Sequence, residues 1–294
     1  MVDKAARAAL EKRITAVLNT ASGSVDDAAQ EQMKSLFAAA GLEHAQIVTA
    51  GAEEIDAALA AAVAGAEVVV VLGGDGTIRT AARECGRTRR LLIPLAGGTM
   101  NMMPHALYGP LPWHDALART LADPRIQTVS GGRVGRESFY CAAILGAPSL
   151  WADAREAVRH GRLAEAVKRS AVAIEHSGEP LFYRLDGGES CAAEAVAVIT
   201  PLVSRALSDD APALEAAALE PSTAAGLFSL AFHAAFDDWR NDPCVSLARV
   251  RRVDVRGAGP VPAILDGEKA HLGRTARVEF RPRAFRALVP AKAA

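Results

Sequence analysis

Two glycine-rich segments stand directly after apolar runs of the sequence. Residues 73–77 read GGDGT and follow the run 68–72, and residues 97–101 read GGTMN and follow the run 91–95. At the carboxyl end of a parallel strand, glycines let backbone N–H groups approach an anion, and the helix that follows offers its positive end. A carboxylate such as Asp75 can hold a cation beside that anion. Each segment alone fits a plain turn at least as well, but together they predict a site for a Mg-bound polyphosphate.

Two further segments carry polar side chains at predicted strand ends. Residues 19–23 read NTASG, and alone such a segment more often caps a helix than binds a ligand. Residues 265–268 read LDGE and follow an apolar run. Two carboxylates there can supply a metal ligand and the general base that a phosphoryl acceptor requires. Asp-Gly is also a common hairpin turn, so this segment alone predicts a turn.

Short β-branched runs alternate with Ala-rich helical stretches in the first half of the chain. This alternation is typical of βα units that build a parallel sheet. Ser24 and Asp27 resemble a capping box that opens a helix through residue 40, and Gly41 is placed to end it. A second helix is predicted over 53–64, closed by Gly65. The predicted strands of this half are 14–18, 44–49, 68–72 and 91–95.

The second half, after about residue 131, has strands separated by turns, which indicates a mostly antiparallel architecture. One helix is predicted over 151–176, with basic residues between its apolar positions. The Ala- and Pro-rich stretch 211–225 is interpreted as a loop. The predicted strands are 139–145, 181–185, 194–199, 226–233, 245–255 and 276–280.

Composition excludes several classes of protein. The chain has 294 residues, half of them hydrophobic, and a net charge of −1. With few aromatic residues as well, nucleic-acid binding is disfavoured. Four widely spaced cysteines without a CxxC pair argue against a zinc site and against a disulfide framework. No signal peptide or membrane-spanning run is recognised. We therefore expect a cytoplasmic protein without a transmembrane segment.

Charge is unevenly distributed along the chain. Residues 245–294 contain nine arginines and two lysines against four acidic residues, although the chain as a whole is almost neutral. This basic excess surrounds the Asp-Gly-Glu segment. A triphosphate and an anionic membrane surface are the partners that such an excess favours.

Taken together and in this order, the four segments resemble the diacylglycerol kinase catalytic family, in particular the soluble bacterial lipid kinases that share their fold with NAD kinases. That family has an Asn-Pro-x-Ser-Gly loop, a Gly-Gly-Asp-Gly-Thr loop, a Gly-Thr-x-Asn-Asp loop and a late Asp-Gly-Glu at comparable separations. GGDGT is shared with NAD kinases, whereas its pairing with GGTMN is more specific to the lipid-kinase branch.

The resemblance implies an α/β fold with two domains. Residues 1–130 would form a three-layer α/β ATP-binding domain, residues 131–275 a β-sandwich domain for the lipid substrate, and residues 276–294 a segment that returns toward the first domain. ATP and Mg²⁺ are the implied cofactors. The implied acceptor is diacylglycerol or a related lipid, a sphingoid lipid, ceramide or phosphatidylglycerol, reached at the inner face of the membrane. A homodimer is left open.

The resemblance also assigns roles to individual residues. Asp75 and Glu268 would be the metal ligands, Glu268 would accept the proton of the acceptor hydroxyl, and Asp266 would stand beside it. Asp75, Asp266 and Glu268 are thus the implied catalytic residues. The implied nucleotide-binding residues are Asn19, Ser22, Gly23, Thr49, Gly73, Gly74, Asp75, Gly76, Thr77, Gly98, Thr99 and Asn101.

Departures from the family pattern keep two alternatives open. Arg79 and Thr80 replace an Asn-Glu pair, Thr20 replaces a Pro, and Met102 stands where the family has Asp. One alternative is a kinase of a soluble metabolite such as NAD. The other is a nucleotide- or lipid-binding regulator with impaired catalysis.

Overall fold

The computed structural model describes residues 3–23, 25–26, 28–146, 180–219 and 245–291. The chain divides into two compact units. The first unit comprises residues 1–131 and 282–294, and the second comprises residues 132–281.

The first unit is built from βα repeats. Its helices are α1 (Lys4–Leu10), α2 (Ala29–Ala39), α3 (Ile55–Gly65), α4 (Asp75–Thr88), α5 (Met102–Tyr108) and α6 (Trp113–Ala122). Its strands are β1 (Ile14–Asn19), β2 (Gln46–Ala50), β3 (Val68–Gly73), β4 (Leu91–Ala96) and most of β5 (Pro124–Val134).

The parallel strands of the first unit lie in the order β2-β1-β3-β4. Because crossovers between parallel strands are right-handed, this order places α2 on one face of the sheet and α3 and α4 on the other. Strands β1 and β3 are buried along their whole length. From β1 the chain continues to β2 on one side of the sheet, whereas β3 and β4 lie on the other side of β1. The boundary between β1 and β3 is therefore a topological switch point, where a crevice opens at the carboxyl ends of the strands.

The second unit consists of antiparallel strands. They are β6 (Glu137–Phe139), β7 (Ala142–Gly146), β8 (Leu181–Leu185), β9 (Cys191–Ala193), β10 (Ala195–Ile199), β11 (Leu214–Leu219), β12 (Val245–Val250), β13 (Arg252–Arg256), β14 (Pro262–Leu265), β15 (Glu268–His271) and the first part of β16 (Thr275–Pro290).

Two sheets of the second unit enclose a common core. One runs β12-β11-β10-β7-β14-β15, and the other includes β16-β13-β8-β9. Leu145, Val198 and Leu214 of the first sheet belong to the same buried cluster as Tyr183 and Val253 of the second. The unit is therefore a β-sandwich.

Strand β16 contributes to both units. Residues 275–279 pair antiparallel with β13, and Arg286 and Ala287 pair in parallel with Leu91 and Leu92 of β4. In the first unit the hydroxyl of Tyr108 donates to the carbonyl of Leu288 at 3.3 Å, which ties the chain end to α5.

The structure confirms the α/β first half and the β-sandwich second half. The four parallel strands and the helices after β1 and β2 lie close to their predicted positions, and Gly41 after α2 has the positive φ of +72° that a helix-terminating glycine adopts. Ser24, Asp27, the helix 151–176 and the strand 226–233 lie outside the described residues.

Three predictions for the second half were wrong. The stretch 211–225 was predicted to be a loop, but its residues 214–219 form β11 between β10 and β12. The predicted strand 139–145 is divided between β6 and β7. The predicted strand 245–255 is interrupted at Arg251, where the chain passes from one sheet to the other and Asp186 accepts hydrogen bonds from the N–H groups of Arg251 and Arg252.

Candidate functional site

Three loops meet at the carboxyl edge of the first unit's sheet. They follow β1, β3 and β4 and hold residues 19–23, 73–77 and 97–101. The first two flank the switch point of the strand order. In open α/β sheets this crevice is where ligands bind, because the strand ends and the helix N-termini both face it.

Side chains of the first loop bind the second loop. The side-chain N–H of Asn19 donates to the hydroxyl of Thr77 at 2.9 Å. The backbone N–H of Gly74 donates to the hydroxyl of Ser22 at 3.0 Å. Asn19 also accepts from the N–H of Ala21 at 3.0 Å, which fixes the turn. The first loop therefore positions the GGDGT segment.

The second and third loops pack backbone against backbone. The N–H of Gly97 donates to the carbonyl of Gly73 at 3.0 Å. A Cβ atom on Gly97 would lie 2.8 Å from the nitrogen of Gly73, and one on Gly98 would lie 2.6 Å from Cα of Gly74. Side chains have no room at either position, so glycine is required for the two loops to approach this closely.

Asp75 joins the second loop to the start of α5. Its Oδ2 accepts from the backbone N–H of Asn101 at 2.9 Å, and its Oδ1 accepts from that of Met102 at 2.7 Å. These N–H groups begin a helix and have no acceptor within it. The carboxylate of Asp75 therefore caps α5 from another loop.

Asn101 closes the third loop on itself. It is buried, 8 % exposed, and has a left-handed backbone with φ of +50°, which Asn tolerates better than most residues. Its side chain accepts from the N–H of Gly98 at 2.8 Å and donates to the carbonyl of Gly98 at 2.9 Å. Asn101 thus shapes the loop, using one N–H and one oxygen lone pair of its side-chain amide to do so.

The N-terminus of α4 is the part of the cluster suited to an anion. The first N–H groups of a helix, here those of Asp75, Gly76 and Thr77, have no acceptor within the helix and carry its positive end. Gly74 at this terminus is not crowded, since a Cβ there would make only ordinary van der Waals contacts, at 3.8 Å with Cα of Gly98 and Oγ of Ser22. A phosphate group fits such a terminus.

The remaining predicted nucleotide residues of the first unit lie around this cluster. Gly23 and Thr99 are exposed in their loops, and Met100 beside Thr99 is 50 % exposed. Thr49 is exposed near the end of β2, where it pairs with Leu18 of β1. Apart from Thr49 on its strand, these residues belong to the three loops.

Asp75 is also the carboxylate of the cluster that could bind Mg²⁺. Each of its oxygens accepts one backbone hydrogen bond and keeps a further lone pair. Mg²⁺ is commonly held by one or two carboxylates together with substrate phosphates and water, so a single carboxylate beside a phosphate site fits this ion. Within the described residues no group of three or more His, Cys, Asp or Glu forms a metal site.

The Asp-Gly-Glu segment forms the hairpin between β14 and β15 in the second unit. Leu265 and Glu268 pair across it, and Asp266 and Gly267 form its turn with φ of +49° and +87°. The interpretation of this segment as a hairpin turn is confirmed. Two positive φ values are the signature of the turn that joins adjacent antiparallel strands most tightly.

Asp266 is buried in this hairpin, with 4 % of its surface exposed. Its carboxylate accepts from the backbone N–H groups of Tyr140, Cys141 and Ala142 at 2.7, 2.8 and 3.0 Å. These residues connect β6 to β7. Asp266 therefore holds the hairpin to β7, while Glu268 is exposed at the start of β15, the edge strand of its sheet.

Sequence reasoning missed two structural roles. Asp75 was predicted as a metal ligand, not as the cap of α5, and Gly97 was not among the predicted site residues. No sequence signal marks Asp75 as a cap, because Asn101 is itself a preferred N-cap residue, and only the structure shows that its side chain makes no cap hydrogen bond. Nothing in the sequence marks the distance between Gly97 and Gly73.

Comparison with known proteins finds a family model that is similar to most of the first unit. Residues 13–134 match the family model of the diacylglycerol kinase catalytic domain. Over this segment the chain is similar to the catalytic domains of diacylglycerol kinases. The match covers the three loops and the strands that position them.

The fold of the whole described chain has relatives among solved structures. The crystal structure of a diacylglycerol kinase from Bacillus anthracis strain Sterne is 14 % identical and matches with a TM-score of 0.68, covering 94 % of this chain and 96 % of that chain. A candidate diacylglycerol kinase from the same strain is 15 % identical, with a TM-score of 0.72 over 94 % of this chain and 97 % of that chain. No curated protein sequence matches the chain.

Proposed function

We propose that this chain is an ATP- and Mg²⁺-dependent lipid kinase that transfers the γ-phosphate to a hydroxyl of diacylglycerol or a related lipid. The observation that carries the proposal is the cluster of three loops at the switch point, in a domain that matches the diacylglycerol kinase catalytic domain. Phosphoryl transfer needs little covalent chemistry from the protein; it needs positioning and charge stabilisation.

The nucleotide would lie along the loop cluster. The N-terminus of α4, over Asp75, Gly76 and Thr77, would hold phosphate oxygens through backbone N–H groups and the helix dipole. Asn19 and Ser22 would act mainly by positioning this terminus, because their side chains bind Thr77 and Gly74. Thr49, Gly23, Gly98 and Thr99 are proposed to line the rest of the nucleotide site.

Asp75 would hold Mg²⁺ through the lone pairs left free by its two hydrogen bonds. The ion, when bound with the nucleotide, neutralises charge on the phosphates. The cap on α5 keeps the carboxylate in one orientation, so the same side chain ties the two glycine loops together and presents a fixed oxygen to the cation.

Glu268 is proposed as the residue that accepts the proton of the acceptor hydroxyl and as a second metal ligand. It is exposed on an edge strand and its carboxylate is available for this chemistry. Asp266 was assigned to catalysis together with Glu268. Its three backbone hydrogen bonds support a positioning role, in which it fixes the hairpin that carries Glu268.

The proposed acceptor places the enzyme at a membrane surface. None of the helices in the described ranges is long and apolar enough to span a bilayer. We propose that the protein is cytoplasmic and reaches its lipid from the inner face of the membrane. A homodimer remains a prediction, which the molar mass in solution would test.

The test is mass spectrometry of lipids after incubation of the purified protein with Mg-ATP and total bacterial lipid. We expect a phosphorylated lipid that is absent with Glu268→Gln. Incubation with NAD forms the second arm. Strong NADP formation without a lipid product would favour a soluble acceptor, and ATP binding without turnover on either acceptor would favour a regulator.

A further inference from the structure

One sheet of the second unit has an outer face rich in arginine. Strands β8, β13 and the first part of β16 alternate between buried and outward positions. Inward residues such as Tyr183, Val253 and Val278 fill the core of the sandwich. We call the outward side the basic face. Its charged residues are Arg184, Arg252, Arg256, Arg277, Arg281, Asp254 and Glu279.

Arginines on the basic face outnumber the carboxylates that neutralise them. Asp254 accepts from Nε of Arg277 at 2.6 Å and lies 3.0 Å from Nε of Arg252. Glu279 pairs with Arg281 at 2.7 Å. Both carboxylates of the face are thus engaged by arginines of the face, and the Asp254 partnership raises the pKa of Arg277.

Two arginines of the face have no ion-pair partner among the described residues. Arg184 lies across from Asp254, whose oxygens are already engaged, and Arg256 lies across from Thr275 and Phe182. The nearby Asp186 forms no ion pair with either of them, and its carboxylate accepts from the backbone N–H groups of Arg251 and Arg252. Two guanidinium groups are therefore left to bind an external anion.

An aromatic ring stands between these two arginines. Phe182 is 50 % exposed, an unusual position for a Phe on a sheet that has a complete core on its other side. It is directly opposite Arg256 and is two residues from Arg184 on the same strand, so all three side chains share one patch of the face. Guanidinium groups can bind the anionic headgroups of a bilayer, and an exposed aromatic ring can contact the apolar region beneath them.

We propose that the basic face docks the protein on an anionic lipid bilayer, with Arg184 and Arg256 on lipid phosphates and Phe182 at the acyl boundary. This inference rests on the proposed lipid-kinase function, because the basic face would bring the enzyme to the bilayer that contains its lipid substrate. Each basic residue near an anionic leaflet adds to attraction, and an interfacial aromatic adds apolar contact.

The observations favour a bilayer over a nucleic acid. Single-stranded nucleic acids are bound by several aromatic rings on which successive bases stack, whereas Phe182 is the only aromatic among the exposed large hydrophobic residues that the structure describes. The arginines are spread over a two-dimensional sheet face and are not aligned along a groove. A planar array of headgroups matches that distribution.

The experiment is cosedimentation of the protein with two kinds of vesicle. One kind contains phosphatidylcholine alone, and the other also contains roughly 30 % phosphatidylglycerol, which gives the bilayer a negative surface potential. The variants are Arg184→Gln with Arg256→Gln, Phe182→Ala, and a control in which Lys34→Gln and Arg87→Gln remove the same charge from α2 and α4. Leu247→Ala, a 45 % exposed residue of β12, is the control for Phe182→Ala.

We expect the double arginine variant to bind anionic vesicles about 30-fold more weakly than the unmodified protein, and Phe182→Ala about fivefold more weakly. Both controls should bind normally, and 0.5 M salt should weaken binding of the unmodified protein through screening, as expected at roughly this ionic strength. Equal binding to both vesicle types, or equal loss in the control variants, would overturn the proposal.

Two further readouts separate this inference from the proposed function. The double arginine variant should keep its turnover on a short-chain lipid dispersed in detergent, because no bilayer is involved there. If the protein binds anionic vesicles but has no kinase activity, the proposed function is wrong and the docking role of the basic face is still supported. Binding of duplex DNA that depends on the two arginines, with vesicle binding unchanged, would assign the face to a nucleic acid and contradict the proposal.

Discussion

The two aspartates of the glycine-rich motifs do related work in different settings. Asp75 in the first unit accepts from two backbone N–H groups and is half-buried at the edge of a sheet, whereas Asp266 in the second unit accepts from three and is almost fully buried. Asp75 lies at a helix N-terminus beside an open crevice. Asp266 lies inside a closed hairpin.

The number of hydrogen bonds that each carboxylate accepts bears on which of them is available for chemistry. Moving a carboxylate away from three buried N–H groups is unfavourable, because each of these donors would then be buried without a hydrogen-bond partner. We therefore place Asp266 among the positioning residues. Asp75 keeps lone pairs that its two hydrogen bonds do not use, and Glu268 is exposed, which supports our proposal that these two acids meet the substrate.

The largest expected effect separates Glu268 from Asp266. Because Glu268 is exposed and proposed as the proton acceptor, Glu268→Gln should lower kcat by about 100- to 10,000-fold, the usual contribution of a general base. The same substitution should change the free energy of unfolding of the protein by no more than about 0.5 kcal/mol, as is usual for an exposed residue. Initial rates and urea denaturation measure the two quantities. An active Glu268→Gln enzyme would contradict the assignment.

Asp266→Ala should have the opposite profile, with a loss of stability first. Three buried N–H groups lose their acceptor, so we expect the free energy of unfolding to fall by about 3–5 kcal/mol. Urea denaturation measures this fall. A loss of less than about 1 kcal/mol would show that the hairpin does not depend on this carboxylate.

Cysteine labelling can locate the effect of Asp266→Ala. Cys85 in the first unit and Cys141 beside β7 are both buried, and burial raises the pKa of Cys85 to about 12. Burial keeps reagents away from both thiols, so both should be protected in the native protein at pH 8. The raised pKa of Cys85 also keeps its thiol protonated, and thiol reagents need the thiolate. In Asp266→Ala, Cys141 should become reactive while Cys85 stays protected. Peptide mass spectrometry of the labelled protein distinguishes the two sites.

The glycine contacts of the first unit give an intermediate effect. Gly98→Ala introduces a methyl group 2.6 Å from the backbone of Gly74, so the two loops must separate. We expect a loss of about 1–3 kcal/mol in the free energy of unfolding, the usual cost of overpacking. Gly74→Ala is the matched control for stability, because its methyl group meets nothing within 3.8 Å. Equal stability of the two variants would show that the loops are not tightly packed.

Asp75→Asn should have the smallest effect on stability. Asparagine can still accept through one oxygen, so we expect a loss of about 1 kcal/mol, similar to that of a weakened helix cap. The loss of charge should matter more to the nucleotide: isothermal titration should show weaker binding of Mg-ATP and little change for ATP in EDTA. Equal loss with and without Mg²⁺ would assign Asp75 to the cap alone.

Much of the first unit followed from local patterns. The run 68–72 is continuous and β-branched, and it forms the buried strand β3 with GGDGT after it. The second unit was harder. Residues 214–219 are rich in Ala, which has low β propensity, yet they form β11 because β10 and β12 pair with them on both sides. Tertiary pairing decided this element.

The functional side chains show the same limit. The loops could be located because glycines follow apolar runs, but the partners of Asp266 lie 124 to 126 residues earlier in the chain. No local pattern reports a contact over that separation. The left-handed backbone of Asn101 is likewise held by its contacts with Gly98 and Asp75. These contacts determine which acids are free and which are structural.

Amide hydrogen exchange with and without Mg-ATP tests whether the three loops of the first unit hold the nucleotide while the turn of the Asp-Gly-Glu hairpin has a structural role. We expect Mg-ATP to slow exchange in peptides covering residues 73–77 and 97–101, and to leave the N–H groups of Tyr140 and Cys141 protected to the same degree in both conditions. Unchanged exchange at both loops under saturating Mg-ATP would contradict the account.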